Sequence, residues 1–289
     1  MNRGIWLVLE VIFDTLMFAP YLLRGRFSWR IKARVLATYT RLTCKFLFLD
    51  PVRPLDRERL FGWTIRCFDY RTFHLLCRVI LLRNEYYFEA PTPRPLVLDC
   101  GANIGLATVF FKWLYPEAEV HAFEPDPATF ALLKENVEAN HLSGVHVYNV
   151  ALSDGSGTAA FHVDHAHPGA PRMSLNPLRM PKDTVTVRTI ALSELLGTLL
   201  AGRQVDFLKL DVEGAEDAVL RDLAGKGCLK AVRELLIEFH HKIGGERARL
   251  ASFLSVLESQ GFDYQLDAVC MPLYERNRYQ NVMVYAYRD

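Results

Sequence analysis

The chain has 289 residues, of which 51% are hydrophobic and 23% are charged, and this balance excludes a disordered protein. The formal net charge of +1 argues against a general nucleic-acid-binding protein, because such domains are usually strongly basic. The six cysteines contain no C-x-x-C pair and no zinc-finger spacing, so we expect free thiols and a cytoplasmic protein.

The first 50 residues differ in composition from the rest of the chain. Residues 5–23 are apolar except for three positions, and residues 24–45 carry seven Arg or Lys and no acid. Two acidic residues near the middle of the apolar run, together with Pro20, disfavour a transmembrane helix. No small-x-small cleavage site follows, which disfavours a secretory signal. We predict a helical segment over 1–50.

Two interpretations of this segment remain open. An apolar helix followed by basic residues is typical of a helix on an anionic membrane surface, which would place residues 1–45 at the inner face of the membrane. The alternative is a helix that packs on the protein's own body, with Arg3 pairing the acids of the apolar run.

The Pro-rich run "APTPRP" at residues 90–95 is the clearest boundary in the chain. We predict lead-in strands and a helix over 51–95, and one domain over 96–289. In this domain, short apolar runs alternate with helical patterns, which indicates a parallel sheet with helices on both faces. The last two strand-like runs, "FDYQLD" and "NVMVYAYRD", have no helix between them, so we expect an antiparallel pair at the edge of an open α/β sandwich.

Polar residues follow the predicted strands at the point where each strand ends. Ligands of open parallel sheets bind at this edge, near the topological switch point. The strand ends carry Asp99 with a turn from Gly101 to Gly105, then Glu124, the run "NVALSD" at 149–154, Asp211 with Glu213, and Glu238 with His240.

The turn and Glu124 together indicate the kind of ligand. Gly101 and Gly105 let the backbone approach a ligand closely, but the middle glycine of a dinucleotide fingerprint is missing. A carboxylate at the end of the second strand can accept both hydroxyls of a ribose. Asp99 would repel a pyrophosphate and favours a cationic ligand. S-adenosylmethionine has a sulfonium, an ammonium and a ribose.

Five motifs extend this interpretation: "VLDCGANIGLATVFF", "HAFEPDP", "NVALSD", "DFLKLDVEGAE" and "LLIEFH". In this order and spacing, over roughly residues 80 to 240, the sequence resembles the FkbM family of S-adenosylmethionine-dependent methyltransferases. The resemblance implies a class I methyltransferase (Rossmann-like) fold, with a seven-stranded, mostly parallel sheet whose last strand is antiparallel. It also implies methylation of a hydroxyl on a sugar, a glycan or a secondary metabolite.

The resemblance also implies roles for individual residues. It implies that the methionine part of the cofactor contacts Asp99, Gly101, Asn103 and Gly105. It implies that Glu124 binds the ribose, and that Asp211 faces the cofactor amino group or the substrate. It further implies that the adenine is lined by Ala151 and Leu152, with Ser153 or Asp154 nearby.

The group that removes a proton from the acceptor is less clearly indicated. His240 is the best base by its ordinary pKa, and Glu238 would lie on the same face of an extended strand. Asp211 and Glu213 form a competing pair. Simpler roles are that Glu213 caps the following helix and that His240 hydrogen-bonds a carbonyl group. We predict no metal ligands, although a divalent ion held by these four groups stays open as an alternative.

Three other functions are weighed against this one. An N-methyltransferase often carries an Asn/Asp-Pro-Pro-aromatic loop, whereas this chain has "DVEGAE" at that position. A cofactor-binding protein without turnover is disfavoured by the set of Asp99, Glu124, Asp211 and His240. A nicotinamide dehydrogenase is disfavoured by the broken glycine pattern. The histidines of "HVDHAH" at 162–167 lie in a Pro- and Gly-containing loop and are expected to be surface residues.

Overall fold

The structure is a computed structural model that describes residues 15–180, 183–199, 202–268 and 279–288. The described chain forms two compact units, and the boundary between them falls between Tyr87 and Phe88.

The first unit is a small helical bundle with one β-hairpin. Its elements are helix α1 (15–24), helix α2 (Trp29–Cys44), strands β1 (Arg57–Leu60) and β2 (Trp63–Arg66), and helix α3 (Tyr70–Arg78). Ser28 caps α2, and Asp69 caps α3 by accepting from the amide of Thr72 at 2.7 Å. Tyr39 of α2 and Phe73 of α3 are fully buried in this unit. Within the described residues, no helix has the length and apolar character needed to span a bilayer.

The second unit contains a seven-stranded sheet. Its strands are β3 (Leu96–Cys100), β4 (Glu119–Phe123), β5 (Val145–Tyr148), β9 (Val205–Leu210), β10 (Val232–His241), β11 (Asp263–Ala268) and β12 (Gln280–Tyr287). The strand order is β11-β12-β10-β9-β3-β4-β5, and β12 runs antiparallel to both of its neighbours. The prediction of an open, mostly parallel sheet with an antiparallel last strand is therefore confirmed.

Helices cover both faces of this sheet. They are α4 (Leu106–Leu114), α5 (Pro127–Ala139), α6 (Leu192–Leu199), α7 (Glu216–Gly225) and α8 (Leu250–Ser259). Leu208 belongs to a buried cluster that also contains residues of α6, α7 and α8. The next residue toward the N-terminus, Phe207, packs its ring 5.7 Å from that of Phe111 in α4. Because adjacent strand residues point to opposite faces, α4 covers the face opposite to α6, α7 and α8.

A second, three-stranded sheet lies in the chain between β5 and β9. It consists of β6 (Ala151–Ser153), β7 (Gly157–Val163) and β8 (Asp183–Ala191), in the order β6-β8-β7. β7 and β8 pair antiparallel along their length, and residues 164–180 of the connection between them form an irregular loop. This loop contributes residues to the candidate site described below.

The order of the strands places a switch point between β3 and β9. From β3 the chain adds β4 and β5 on one side, whereas β9 lies on the other side of β3 and is followed by β10. The carboxyl ends of β3 and β9 therefore lie side by side where the direction of sheet construction reverses. A ligand crevice is expected at this position in an open α/β sheet.

Candidate active site

The turn that follows β3 is held against the ends of both neighbouring strands. The amides of Gly101 and Ala102 donate to the carbonyl oxygen of Phe123 at 3.1 and 2.9 Å. Gly101 has a φ of +86°, and a Cβ added there would overlap the carbonyl group of Asp211. This position therefore requires glycine. The turn lies where a ligand-binding turn at a switch point is expected.

Glu124 follows β4 and is buried beneath this turn. Its Oε2 accepts from the amide of Asn103 at 3.0 Å, and its Oε1 accepts from the amide of Asp126 at 2.9 Å. Burial raises the pKa of this carboxyl group to about 8, although the two amide donors act in the opposite direction. The structure thus keeps an acidic side chain buried beside the glycine turn, where loss of hydration disfavours its ionised form.

Asp99 and Asp211 are joined by one buried lysine. Nζ of Lys209 lies 3.5 Å from Oδ1 of Asp99 and 3.4 Å from Oδ2 of Asp211, and it donates to the carbonyl of Gly101 at 2.7 Å. Burial opposes the positive charge, but Asp211 and Asp99 outweigh it and raise the pKa of Lys209. The hydroxyl of Thr108 donates to Oδ2 of Asp99 at 2.6 Å. Contact between the fully buried Asp99 and a ligand stays a prediction.

His240 lies among three carboxylates. Its Nδ1 is 2.8 Å from Oε1 of Glu216, and its Nε2 is 3.1 Å from Oε2 of Glu213 and 3.9 Å from Oε1 of Glu238. Burial disfavours a charge on the ring, but Glu216 and Glu213 outweigh it and raise the pKa of His240 well above its ordinary value. As placed, His240 is therefore not the neutral base that its ordinary pKa suggests.

Glu216 is fixed by the backbone of its own loop. Its Oε1 accepts from the amides of Val212 at 3.2 Å and Gly214 at 2.9 Å, in addition to facing His240. Glu216, rather than Glu213, satisfies amides in the turn between β9 and α7. Glu213, with a φ of +53°, is directed toward His240 instead.

Two further segments close around the acidic residues. Arg179, from the loop after β7, has Nε and Nη2 each 2.7 Å from Oε2 of Glu213. Its guanidinium lies 4.3 Å from the ring centroid of Tyr279, and that ring stacks on His240 at 6.1 Å. From β12, the side-chain amide of Asn281 donates to Glu238.

The residues predicted to line the adenine lie apart from these contacts. Ala151 and Leu152 are buried in β6, and Asp154 is exposed and accepts from the hydroxyl of Ser153 at 3.1 Å. The end of β5 is nevertheless tied to Glu124, because the side-chain amide of Asn149 donates to its carbonyl oxygen at 2.9 Å. Contact of the β6 residues with an adenine remains a prediction.

Sequence reasoning gave no role to several residues of this site, among them Lys209, Glu216, Arg179 and Tyr279. Lys209 had a signal, since it is a charged residue within the apolar run of β9. Glu216 stands in the quoted motif "DVEGAE" but was given no role. Arg179 and Tyr279 lie outside any periodic pattern, so nothing in the sequence indicated them.

The histidine-containing loop does not form a ligand cluster. Among the described residues, the groups able to offer three metal donors are Asp211 with Glu213 and His240, and Glu119 with His121 and His146. His167 pairs with Asp164 at 3.1 Å and belongs to neither group.

Comparison with known proteins gives consistent matches. The methyltransferase FkbM domain matches residues 99–264. The chain is 31% identical over 202 residues to methyltransferase 1 of Beauveria bassiana (strain ARSEF 2860), covering 62% of this chain and 77% of that protein. It is 30% identical over 161 residues to the 2-O-methyltransferase NoeI of Sinorhizobium fredii, covering 51% and 64%. It is 27% identical over 197 residues to the 31-O-demethyl-FK506 methyltransferase FkbM of Streptomyces tacrolimicus, covering 59% and 73%.

Replacing Lys209 tests the buried ion pairs directly. Lys209→Met leaves the buried carboxylate of Asp99 without a cation, so we expect the free energy of unfolding to fall by roughly 3–5 kcal/mol. The second substitution Asp99→Asn should recover part of this loss, because it removes the unpaired charge. Urea unfolding at pH 7 measures both effects.

Lys112→Met is the matched control, since Lys112 is also a buried lysine but donates to the carbonyl of Ala118 instead of a carboxylate. We expect a loss of only about 1–2 kcal/mol there. Equal losses in the two lysine variants would contradict the role given to the ion pairs.

Proposed function

Because the chain belongs to the FkbM methyltransferase family, we propose that it transfers a methyl group from S-adenosylmethionine to a hydroxyl of a sugar, a glycan or a secondary metabolite. The proposal rests mainly on one feature, a buried acidic cluster beside a glycine turn at the switch point of the sheet. The names of two relatives, a 2-O-methyltransferase and a 31-O-demethyl-FK506 methyltransferase, favour an oxygen acceptor.

The residues around the turn fit the cofactor. S-adenosylmethionine supplies, when bound, a methyl group that is already activated on a sulfonium. Glu124 offers a buried carboxyl group to the ribose hydroxyls, and Gly101 and Gly105 have no side chain, so the backbone of the turn can approach the methionine part closely. The carboxylate of Asp211, which pairs with Lys209 at 3.4 Å, lies beside this turn and is proposed to face the ammonium group of the cofactor or the acceptor.

The acceptor is proposed to bind at the ends of β9 and β10. Methyl transfer is an in-line displacement in which the acceptor oxygen bonds to the methyl carbon, the carbon–sulfur bond breaks, and the hydroxyl proton must leave. The protein contributes orientation and a group that takes this proton. Asp211, Glu238 and His240 are the candidates that meet at this edge.

Among these three, we assign proton removal to Glu238. Both ring nitrogens of His240 already face carboxylates, and the side chain is fully buried. The side chain of Glu238 is 24% exposed, so a proton taken up there has a path to solvent. His240 and Asp211 then orient the acceptor and the cofactor.

A pH series of cofactor binding tests the placement of Glu124. Only the ionised carboxylate can accept from both ribose hydroxyls, and the pKa of Glu124 in the ligand-free protein is raised to about 8. Calorimetric titration should therefore show affinity for S-adenosylmethionine that rises between pH 6 and pH 9, values that bracket about 8. In Glu124→Gln we expect affinity at least about tenfold weaker and independent of pH over this range.

Glu138→Gln, an exposed change on α5, is the control and should behave like the unaltered protein. The expected effect of pH on stability is opposite to its effect on cofactor affinity. Because the pKa of Glu124 is raised in the folded state, the folded protein binds more protons than the unfolded chain, so the free energy of unfolding should fall as the pH rises toward 8. Undiminished affinity in Glu124→Gln would show that the carboxylate does not bind the cofactor.

The nature of the acceptor is tested by transfer of a labelled methyl group. The protein is incubated with methyl-labelled S-adenosylmethionine and fractionated metabolites, and the labelled product is identified by mass spectrometry and NMR. We expect an O-methyl ether, and Glu238→Gln should lower kcat by about 10²–10⁴ while cofactor affinity stays unchanged.

A labelled N-methyl product would instead establish an N-methyltransferase. Cofactor binding without transfer to any fraction would favour a non-catalytic protein of the same fold.

We also propose that the N-terminal segment binds the anionic inner face of the membrane. Several large apolar side chains are exposed here, including Leu16 at 70%, Met17 at 53% and Trp29 at 72%. They accompany a run with seven basic residues and no acid between positions 24 and 45. This combination of exposed apolar and cationic groups suits a surface of anionic lipid. Residues 1–14 of the predicted segment lie outside the described residues.

Co-sedimentation with vesicles tests this membrane contact. The full-length protein should pellet with phosphatidylcholine vesicles that contain phosphatidylserine, and less so without it or at high salt. The double variant Leu16→Ser with Trp29→Ser should lower the bound fraction several-fold. Leu178→Ser removes an exposed leucine of the second unit and should have no effect. Equal binding by all three proteins would exclude this surface.

A further inference from the structure

We propose that Asp211, Glu213 and His240 bind a divalent cation. One donor atom from each of these residues lies within 4.8 Å of the other two, a spacing that a single ion between them can bridge. Asp211 and Glu213 follow the end of β9, and His240 is near the end of the adjacent strand β10, so the donors meet at one edge of the sheet. Their position coincides with the proposed acceptor site.

Two buried atoms in this group lack a well-formed hydrogen bond. Oδ1 of Asp211 has no hydrogen-bond partner, and Nε2 of His240 makes no hydrogen bond of good geometry, although it lies 3.1 Å from a carboxylate oxygen of Glu213 and pairs with it when the ring is protonated. Buried polar atoms are rarely left unsatisfied in folded proteins. A shared cation satisfies both atoms at once.

The ring of His240 is oriented as in a histidine that ligates a metal. Glu216 lies 2.8 Å from Nδ1, and its Oε1 is fixed by two backbone amides. A carboxylate that holds one ring nitrogen usually accompanies a histidine ligand, and a bound cation would displace the proton between Nε2 and Glu213 so that the lone pair of Nε2 becomes available. Glu216 is therefore a positioning residue in this proposal.

Glu213 is also held in an uncommon conformation. Its backbone φ is +53°, and its carbonyl oxygen accepts from the hydroxyl of Ser174. Arg179 pairs with its carboxylate and offsets one negative charge. A non-glycine residue in the left-handed region is usually kept there by its surroundings, often at a functional site. Here it brings the carboxylate toward His240.

The charges around these residues also favour a cation. Five carboxylates take part in the described ion pairs around Lys209 and His240, namely those of Asp99, Asp211, Glu213, Glu216 and Glu238. The positive groups in the described pairs are Lys209, Arg179 and protonated His240, fewer than the carboxylates. A doubly charged ion reduces the excess of negative charge.

The donor set indicates the class of ion. Carboxylates suit Mg²⁺, Ca²⁺ and Mn²⁺, whereas an imidazole favours first-row transition ions, so two carboxylates with one imidazole suit Mn²⁺ or Zn²⁺ better than Ca²⁺. Three protein ligands leave coordination positions open for the acceptor.

The role of the ion rests on the proposed function, whereas its binding does not. An acceptor hydroxyl bound to the ion loses its proton more readily, and Glu238 takes that proton. The alkoxide oxygen then bonds to the methyl carbon while the carbon–sulfur bond breaks and sulfur leaves as a thioether.

Titration with Mn²⁺ tests the site without any cofactor or acceptor. Full-length protein is treated with EDTA and desalted, and free Mn²⁺ is followed by electron paramagnetic resonance. We expect one high-affinity Mn²⁺ per chain. Asp211→Asn and His240→Gln should each weaken binding at least about tenfold, and Glu216→Gln by about 10–100-fold, the usual effect of removing the group that orients a ligand.

His146→Asn is the matched control, because His146 belongs to the other described group of three donors, with Glu119 and His121. It should leave Mn²⁺ affinity unchanged. Loss of binding in His146→Asn but not in Asp211→Asn would overturn the assignment, as would absence of binding to the unaltered protein at millimolar Mn²⁺. Circular dichroism of each variant distinguishes lost ligands from lost folding.

Calorimetry with S-adenosylmethionine separates this inference from the proposed function. Cofactor binding without any Mn²⁺ binding overturns the cation site and leaves the methyltransferase assignment intact. Mn²⁺ binding that depends on Asp211 and His240, in a protein that binds no cofactor, supports the site and removes the role given to the ion.

Discussion

The ion pairs of the buried Lys209 ammonium are the interaction on which the glycine turn and the acidic cluster both depend. It lies between Asp99 at the end of β3 and Asp211 just after β9, and it also donates to the carbonyl of Gly101. One cation thus joins two strands at the switch point and the glycine turn between them. Because an unpaired charge in this position would be strongly destabilising, the three groups fix one another. The position of the glycine turn and that of the acidic cluster are therefore set together.

The rest of the site is organised by the placement of its acidic side chains. Glu124 is buried beneath the turn with two backbone donors, whereas Glu213, Glu216 and Glu238 surround His240. The first arrangement offers acceptors to the proposed ribose of the cofactor, and the second favours positive charge. A protein interior carries such a concentration of carboxylates only where hydrogen bonds, ion pairs or ligands compensate them. The surroundings of Glu124 and of His240 thus differ in charge, as expected if they bind two different reactants.

The sequence allowed the sheet and the strand-end residues to be predicted, because both depend on local pattern. Fully buried parallel strands are apolar runs, and Asp99, Glu124 and Asp211 each stand at or just past the end of one. The ordinary pKa of histidine suggested a neutral His240, but in the folded protein Glu216 and Glu213, from another part of the chain, outweigh the effect of burial and raise this pKa. Arg179 and Tyr279 reach the cluster from irregular segments, and only the tertiary fold brings them there.

The loop between β7 and β8 contacts both the glycine turn and the acidic cluster. The side chain of Asn103 in the glycine turn donates to the carbonyl of Gly169, and Arg179 pairs with Glu213 near the proposed acceptor site. The loop belongs to the three-stranded sheet and not to the seven-stranded one. Loops tolerate changes of length and sequence more readily than buried strands such as β9, which carries Lys209. Changes in this one loop can therefore alter the surface beside the glycine turn and the acidic cluster without altering the sheet that positions them.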